Sequence, residues 1–169
     1  MFNIKAMEEF REIQRNPINL PVESEILNGN NIFRWRVTAY GPPDTLYAGG
    51  KYYIFIKFPQ NYPESPPKVY FETPIYHINV NRRSVYGDEV GTPNLNILNR
   101  WKPEYKIRDV IISIYSLFYM NNTHCSHNSD MVDEFLNNKA TYERKARFYT
   151  EKFAYNPRRL LPNWDFTEP

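Results

Sequence analysis

The chain has a single cysteine, Cys125, among its 169 residues. One thiol excludes an internal disulfide and any cysteine-rich zinc cluster, and it leaves at most one place for thiol chemistry. Glycine is scarce, at 6 residues, against 14 prolines and 14 tyrosines. Proline at that level without accompanying glycine predicts rigid connections rather than disorder. No sign of charge dominates: 21 Lys and Arg against 19 Asp and Glu give a formal +2. That balance carries no nucleic-acid footprint, and the pairs Arg82-Arg83 and Arg158-Arg159 read as solvated charges. Long hydrophobic runs are also missing. Val110 to Met120 is interrupted by Ser113 and Ser116 and is too short for a membrane span. Met1 to Phe10 carries Lys5, Glu8 and Glu9, unlike a signal peptide. These absences predict a cytoplasmic or nuclear chain with no nucleic-acid and no membrane partner. On that reading the sequon Asn121-Asn122-Thr123 is a chance match.

What is present reads as one α+β domain. The length and 41% hydrophobic content suit a single core. Ile4, Met7, Phe10, Ile13 and Gln14 recur at helical spacing until Pro17 stops the run. Asn28-Gly29-Asn30-Asn31 is a turn signal between extended segments. Phe33, Trp35, Val37 and Ala39 alternate with Arg34, Arg36, Thr38 and Tyr40, predicting an apolar and a polar strand face. Lys51 to Phe58 reads as a third strand. Pro59, Pro63, Pro66 and Pro67 forbid ladder pairing before a fourth, Lys68 to Phe71. Glu72 to Lys106 is irregular, and loops this long are usually functional. Helical spacing returns at Ile107, Val110, Ile111, Ile114, Leu117 and Phe118. A polar loop, Asn121 to Ser129, and a short helix near Asp130 to Asn137 follow. A last helix spans Ala140 to Phe153, with Ala140, Tyr142, Ala146 and Tyr149 as core candidates. Strands first and helices after them predict an antiparallel sheet.

Several spaced motifs resemble one family. Tyr40-Gly41-Pro42-Pro43-Asp44-Thr45-Leu46-Tyr47-Ala48-Gly49-Gly50 resembles the loop and hairpin of ubiquitin-conjugating enzymes. Phe58-Pro59-Gln60-Asn61-Tyr62-Pro63 with Pro66-Pro67 is similar to their proline-rich connection. Tyr76-His77-Ile78-Asn79-Val80 resembles the His-Pro-Asn signature. Asn94-Leu95-Asn96-Ile97-Leu98 and Trp101-Lys102-Pro103 resemble the active-site segment, and Ile111 to Phe118 the helix after it. The likeness runs from about Ala6 to Ala154. It implies a UBC-like fold: an N-terminal helix, a four-stranded antiparallel sheet, a long active-site-type loop and C-terminal helices. The expected domain is 1–155, with a tail at 156–169. The implied reaction is acyl transfer through a cysteine thioester, with the signature residue Asn79 supporting the oxyanion or its loop.

The sequence departs from the pattern at the decisive place. Gly91, Leu95, Ile97 and Leu98 keep the frame, and the nucleophile position holds Asn94. An amide forms no thioester. Ile78 replaces the signature proline, so the turn loses its fixed φ. The connection from Asn79 to Asn94 is longer than usual and contains Asp88 and Glu89. Glu64 and Glu104 stand where members that dock RING-type ligases carry apolar residues, which predicts weakened docking. With Trp101, they are the candidate binding residues. Lys5 is present where the first helix usually carries a basic pair for the activating enzyme, but its neighbour is Ile4.

The family's own chemistry is therefore not expected here. No catalytic residue is predicted; His77 and Asn79 are vestiges of the signature, and His77 reads as a structural turn histidine. The alternative nucleophile is Cys125, in the loop beside the catalytic groove, flanked by His124 and His127. A zinc site from those three is disfavoured by crowding, and no metal or cofactor is implied. Trp101 and the strand-three tyrosines read as core; Trp164 in the tail is a partner anchor or packs back. The leading reading is a non-catalytic variant that binds ubiquitin or a ubiquitin-like modifier, or serves an active conjugating enzyme as cofactor subunit. The others are an active enzyme charged on Cys125 and a scaffold of the same fold unrelated to ubiquitin.

Overall fold

The computed structural model describes residues 4–27, 31–83 and 90–157. Most of the Asn28 turn, Asp88, Glu89, Arg158-Arg159 and Trp164 lie outside them. The order is α1 (Ile4–Arg15), β1 (Val22–Ile26), β2 (Arg34–Tyr40), β3 (Lys51–Lys57), β4 (Lys68–Phe71), α2 (Asn96–Asn99), α3 (Ile107–Ser116), α4 (Ser129–Asn137) and α5 (Lys139–Tyr149). A 3-10 turn covers Thr123–Cys125, and a π turn, Thr150–Ala154, extends α5. The strands form one antiparallel sheet in sequence order. The expected α+β architecture is the one observed.

The inner sheet face holds the core. Trp35, Val37 and Ala39 of β2 are buried with Tyr52, Ile54 and Ile56 of β3 and with Ile107, Val110, Ile111 and Ile114 of α3. The Trp35 ring lies edge-on to Phe10 at 5.1 Å and against Phe58 at 4.8 Å, and its Nε1–H donates to Ile32 O at 2.9 Å. A ring this large is best stabilised by such offset contacts with its N–H satisfied. On the outer face, which is polar as expected, Arg36 and Thr38 are nevertheless buried. Arg36 accounts for this. Its guanidinium lies 5.0 Å from the Tyr53 ring centre, donates from Nε to Glu72 at 2.9 Å and approaches Glu25 at 3.5 Å. Its aliphatic stem covers sheet surface while its head is neutralised.

Two helix faces also differ from expectation. In α1, Ile4 is 69% exposed and Gln14 is exposed, whereas Glu9 is only 3% exposed. The carboxylate goes inward because donors await it: Ile107 N–H at 2.6 Å and the Tyr62 hydroxyl at 2.9 Å. Ile107 opens α3, so a side chain of α1 satisfies an orphan donor at that helix's start. In α5, Ala140 is exposed in the first turn, and Tyr142, Ala146 and Tyr149 are buried as expected.

The long loop is not irregular throughout. Its limbs 79–81 and 91–94 run antiparallel, joined by Asn81 N–H to Thr92 O (2.9 Å), Gly91 N–H to Asn81 O (2.8 Å) and Asn94 N–H to Asn79 O (2.8 Å). Gly91 has φ +89°, a left-handed conformation that favours glycine. Its carbonyl accepts Phe71 N–H at 2.9 Å, which anchors the loop to the edge of β4. No helix among the described residues is long and apolar enough to cross a membrane.

Candidate functional site

The two limbs bring Asn79 and Asn94 together, with His77 just before the first limb. His77 is fully buried. Its Nε2 lies 2.9 Å from Leu117 O and 3.1 Å from Met120 O, and its Nδ1 is 2.9 Å from Asn79 N. Two carbonyls on one nitrogen and an N–H on the other assign the proton to Nε2. Burial pushes the ring's pKa down to about 4. With both nitrogens engaged, His77 is a neutral brace between the loop and the end of α3.

Asn79 is equally committed. Its Nδ2 donates to Asn122 O at 2.7 Å and to Cys125 O at 3.3 Å, and its Oδ1 accepts Asn122 N–H at 2.8 Å. Both amide hydrogens and the oxygen hold the 122–125 turn, so this side chain is a loop clamp. Asn128, which the sequence reading did not single out, works beside it. It is buried, and its Nδ2 donates to Ile78 O at 3.0 Å and Val80 O at 2.8 Å. Ile78, in place of proline, has a main-chain N–H that donates to the Tyr142 hydroxyl at 3.3 Å. Proline would have no hydrogen to give. The lost ring constraint is thus replaced by a bond to α5.

Asn94 sits across the turn from Asn79. Its Nδ2 donates to Cys125 O at 2.5 Å, and its Oδ1 accepts from Asn99 Nδ2 at 2.6 Å. Asn99 was not read from the sequence; an amide one turn further along a short helix gave no periodic signal. The Asn94 side chain is therefore bonded at both ends, tying the 3-10 turn to α2. On one side of Asn94 lies a groove of about 200 Å³, with Asn79, Leu95, Met120, Asn122 and Cys125 in its walls. On the other lies a groove of about 300 Å³, between Pro66–Tyr70 and the 92–94 limb. Cys125 lines the first and His127 the second, so they face different spaces. Among the described residues, no histidine and no carboxylate lines the Cys125 groove. His124 is exposed, and its main-chain N–H donates to Asn122 Oδ1 at 3.0 Å. Among the described residues, no three His, Cys, Asp or Glu side chains gather as metal ligands.

The candidate binding residues lie at the far end. Trp101 is half-buried rather than core, packed between Tyr62 and Tyr105, and its Nε1–H donates to Pro63 O at 2.6 Å. That bond joins the two loops that carry Glu64 and Glu104, both exposed. Lys5 is 4.0 Å from Glu9.

The family model for ubiquitin-conjugating enzyme matches residues 5–150. Ubiquitin-conjugating enzyme E2 14 of Schizosaccharomyces pombe is 34% identical over 152 residues, covering 89% of this chain and 92% of that protein. Among solved structures, the E2 domain of a Toxoplasma gondii ubiquitin conjugating enzyme superposes with a TM-score of 0.75 at 30% identity. The match covers 88% of this chain and 96% of that one.

Proposed function

Since the chain belongs to the ubiquitin-conjugating enzyme family, we propose that it is a non-catalytic member, a binding or cofactor subunit for ubiquitin or a related modifier, or for an active conjugating enzyme. The observation that carries this reading is Asn94. By the resemblance of its flanking motif it stands where the family's thiol would be; its amide is no nucleophile, and both ends of that amide are spent on structure. The groove beside it offers a proton acceptor on neither a histidine nor a carboxylate among the described residues. Glu64 and Glu104 add to this reading, since a desolvated apolar contact with a RING-type ligase is not available to carboxylates. Residues 156–169 are read as a tail to the 1–155 domain, and the cytoplasm or nucleus is the proposed compartment.

Titration of the isotope-labelled chain with ubiquitin, alone and with a panel of active conjugating enzymes, tests the proposal. Localised amide shifts with ubiquitin, or a stoichiometric complex with one of the enzymes, are expected. Absence of both would favour a scaffold of this fold with no tie to the modifier. The second reading, a thioester on Cys125, is favoured by one observation: this half-exposed thiol lines the same groove as Asn79 and Asn94.

A further inference from the structure

One end of the outer sheet face carries a charge pattern that the modifier chemistry does not use. Arg34 of β2 lies opposite Lys57 of β3, and Lys57 lies opposite Lys68 of β4. All three are exposed. They form a row of cations across three strands in a protein whose net charge is only +2. Like charges directly opposite one another in a sheet repel. One register step along, Arg36 is neutralised by Glu25 and Glu72. Among the described residues, no ion pair relieves Arg34, Lys57 or Lys68.

Among the described residues, the row ends at a strand edge that is open beside Val69. Glu72 N–H reaches inward to Tyr53 O, whereas Phe71 N–H reaches outward to Gly91 O. Alternation along β4 then turns the N–H and C=O of Val69 outward as well. The Val69 side chain is on the core side and 2% exposed, so its main chain is what it offers to the 300 Å³ groove it lines. Among the described residues, nothing pairs with that donor and acceptor. Gly91 covers the β4 edge at Phe71, and beside Val69 the groove separates that edge from the 92–94 limb.

We propose that this corner binds an extended acidic segment of a partner protein. Its main chain pairs with Val69 at the edge of β4, and its carboxylates meet Lys68, Lys57 and Arg34. Such strand addition draws affinity from main-chain bonds and selectivity from the side chains beside them. The Phe55 and Tyr70 rings, stacked at 5.0 Å next to the row, supply an apolar flank. The Val69 main chain, unpaired among the described residues, favours a peptide over a nucleic acid, which has no amide backbone to pair with it.

The test uses the full chain and a short fluorescein-labelled peptide alternating valine and glutamate. Its fluorescence anisotropy should rise saturably, and hydrogen exchange at the Val69 amide should slow. The combined exposed-site variant Arg34→Glu, Lys57→Glu, Lys68→Glu, checked for fold by circular dichroism, should weaken binding by about tenfold or more. A peptide alternating valine and lysine should not bind. The inference is overturned by no binding of the acidic peptide, by binding indifferent to the charge reversal, by an unprotected Val69 amide, or by equal binding of a single-stranded oligonucleotide. None of these readouts involves a modifier or a conjugating enzyme, so the result is separable from the function proposed above.

Discussion

Acidification should loosen this fold through one buried ring. His77 has a pKa near 4 in the folded chain against an ordinary 6.5. The unfolded chain therefore takes up this proton first as pH falls, and stability is lost across the window from about 6.5 to about 4. The linkage relation gives a loss of about 2 kcal/mol by pH 5 and about 3 kcal/mol by pH 4, relative to pH 7. The physical cause is first burial, which disfavours the charged ring; a second ring proton on Nδ1 would in addition face Asn79 N–H, 2.9 Å away, donor against donor. Glu9 works in the opposite direction. Burial raises its pKa above 4.5, so its contribution is complete below that value and is lost as pH rises through the folded value. Comparing the protein with His77→Gln cancels Glu9, because Glu9 is present in both. The assay is urea unfolding at a series of pH values from 7 to 4. His77→Gln should be less stable at pH 7, where the acceptor for Asn79 N–H is lost, yet should decline less on acidification. Parallel pH curves for the two proteins would refute the reasoning.

Two further perturbations probe the frame. Glu9→Ala strands Ile107 N–H and the Tyr62 hydroxyl and leaves a void, a loss of about 3–5 kcal/mol in the midpoint-derived unfolding free energy. Gly41→Ala would place a Cβ 1.8 Å from Tyr47 O; backbone must move, and a cost of about 3 kcal/mol should appear as a lowered Tm.

Much of this was legible in the chain. β4 is readable to the residue because prolines bracket its start and a short apolar alternation defines its body. β2 is readable from its period of two, but the fate of Arg36 is not: only pairing of distant Glu25 and Glu72 across the sheet buries it. The same holds for Glu9, which periodicity places on the polar side of α1 and which long-range donors pull inward. At the site, His77, Asn79 and Asn94 stand out through the family resemblance of their motifs, while Asn99, Asn128 and Tyr142 act through bonds between elements far apart in sequence. The nearness of Cys125 to His127 in sequence was misleading for a local reason. The chain turns over Ser126, whose hydroxyl is held by Ile78 O, and places the two on different grooves.

The central claim is that no thioester forms on this chain. Incubation with activating enzyme, ATP and labelled ubiquitin, resolved without reducing agent, tests it most directly. No reductant-sensitive adduct is expected, with Cys125→Ala indistinguishable from the unmodified chain. A reducible adduct that disappears in Cys125→Ala would contradict it and establish a relocated nucleophile.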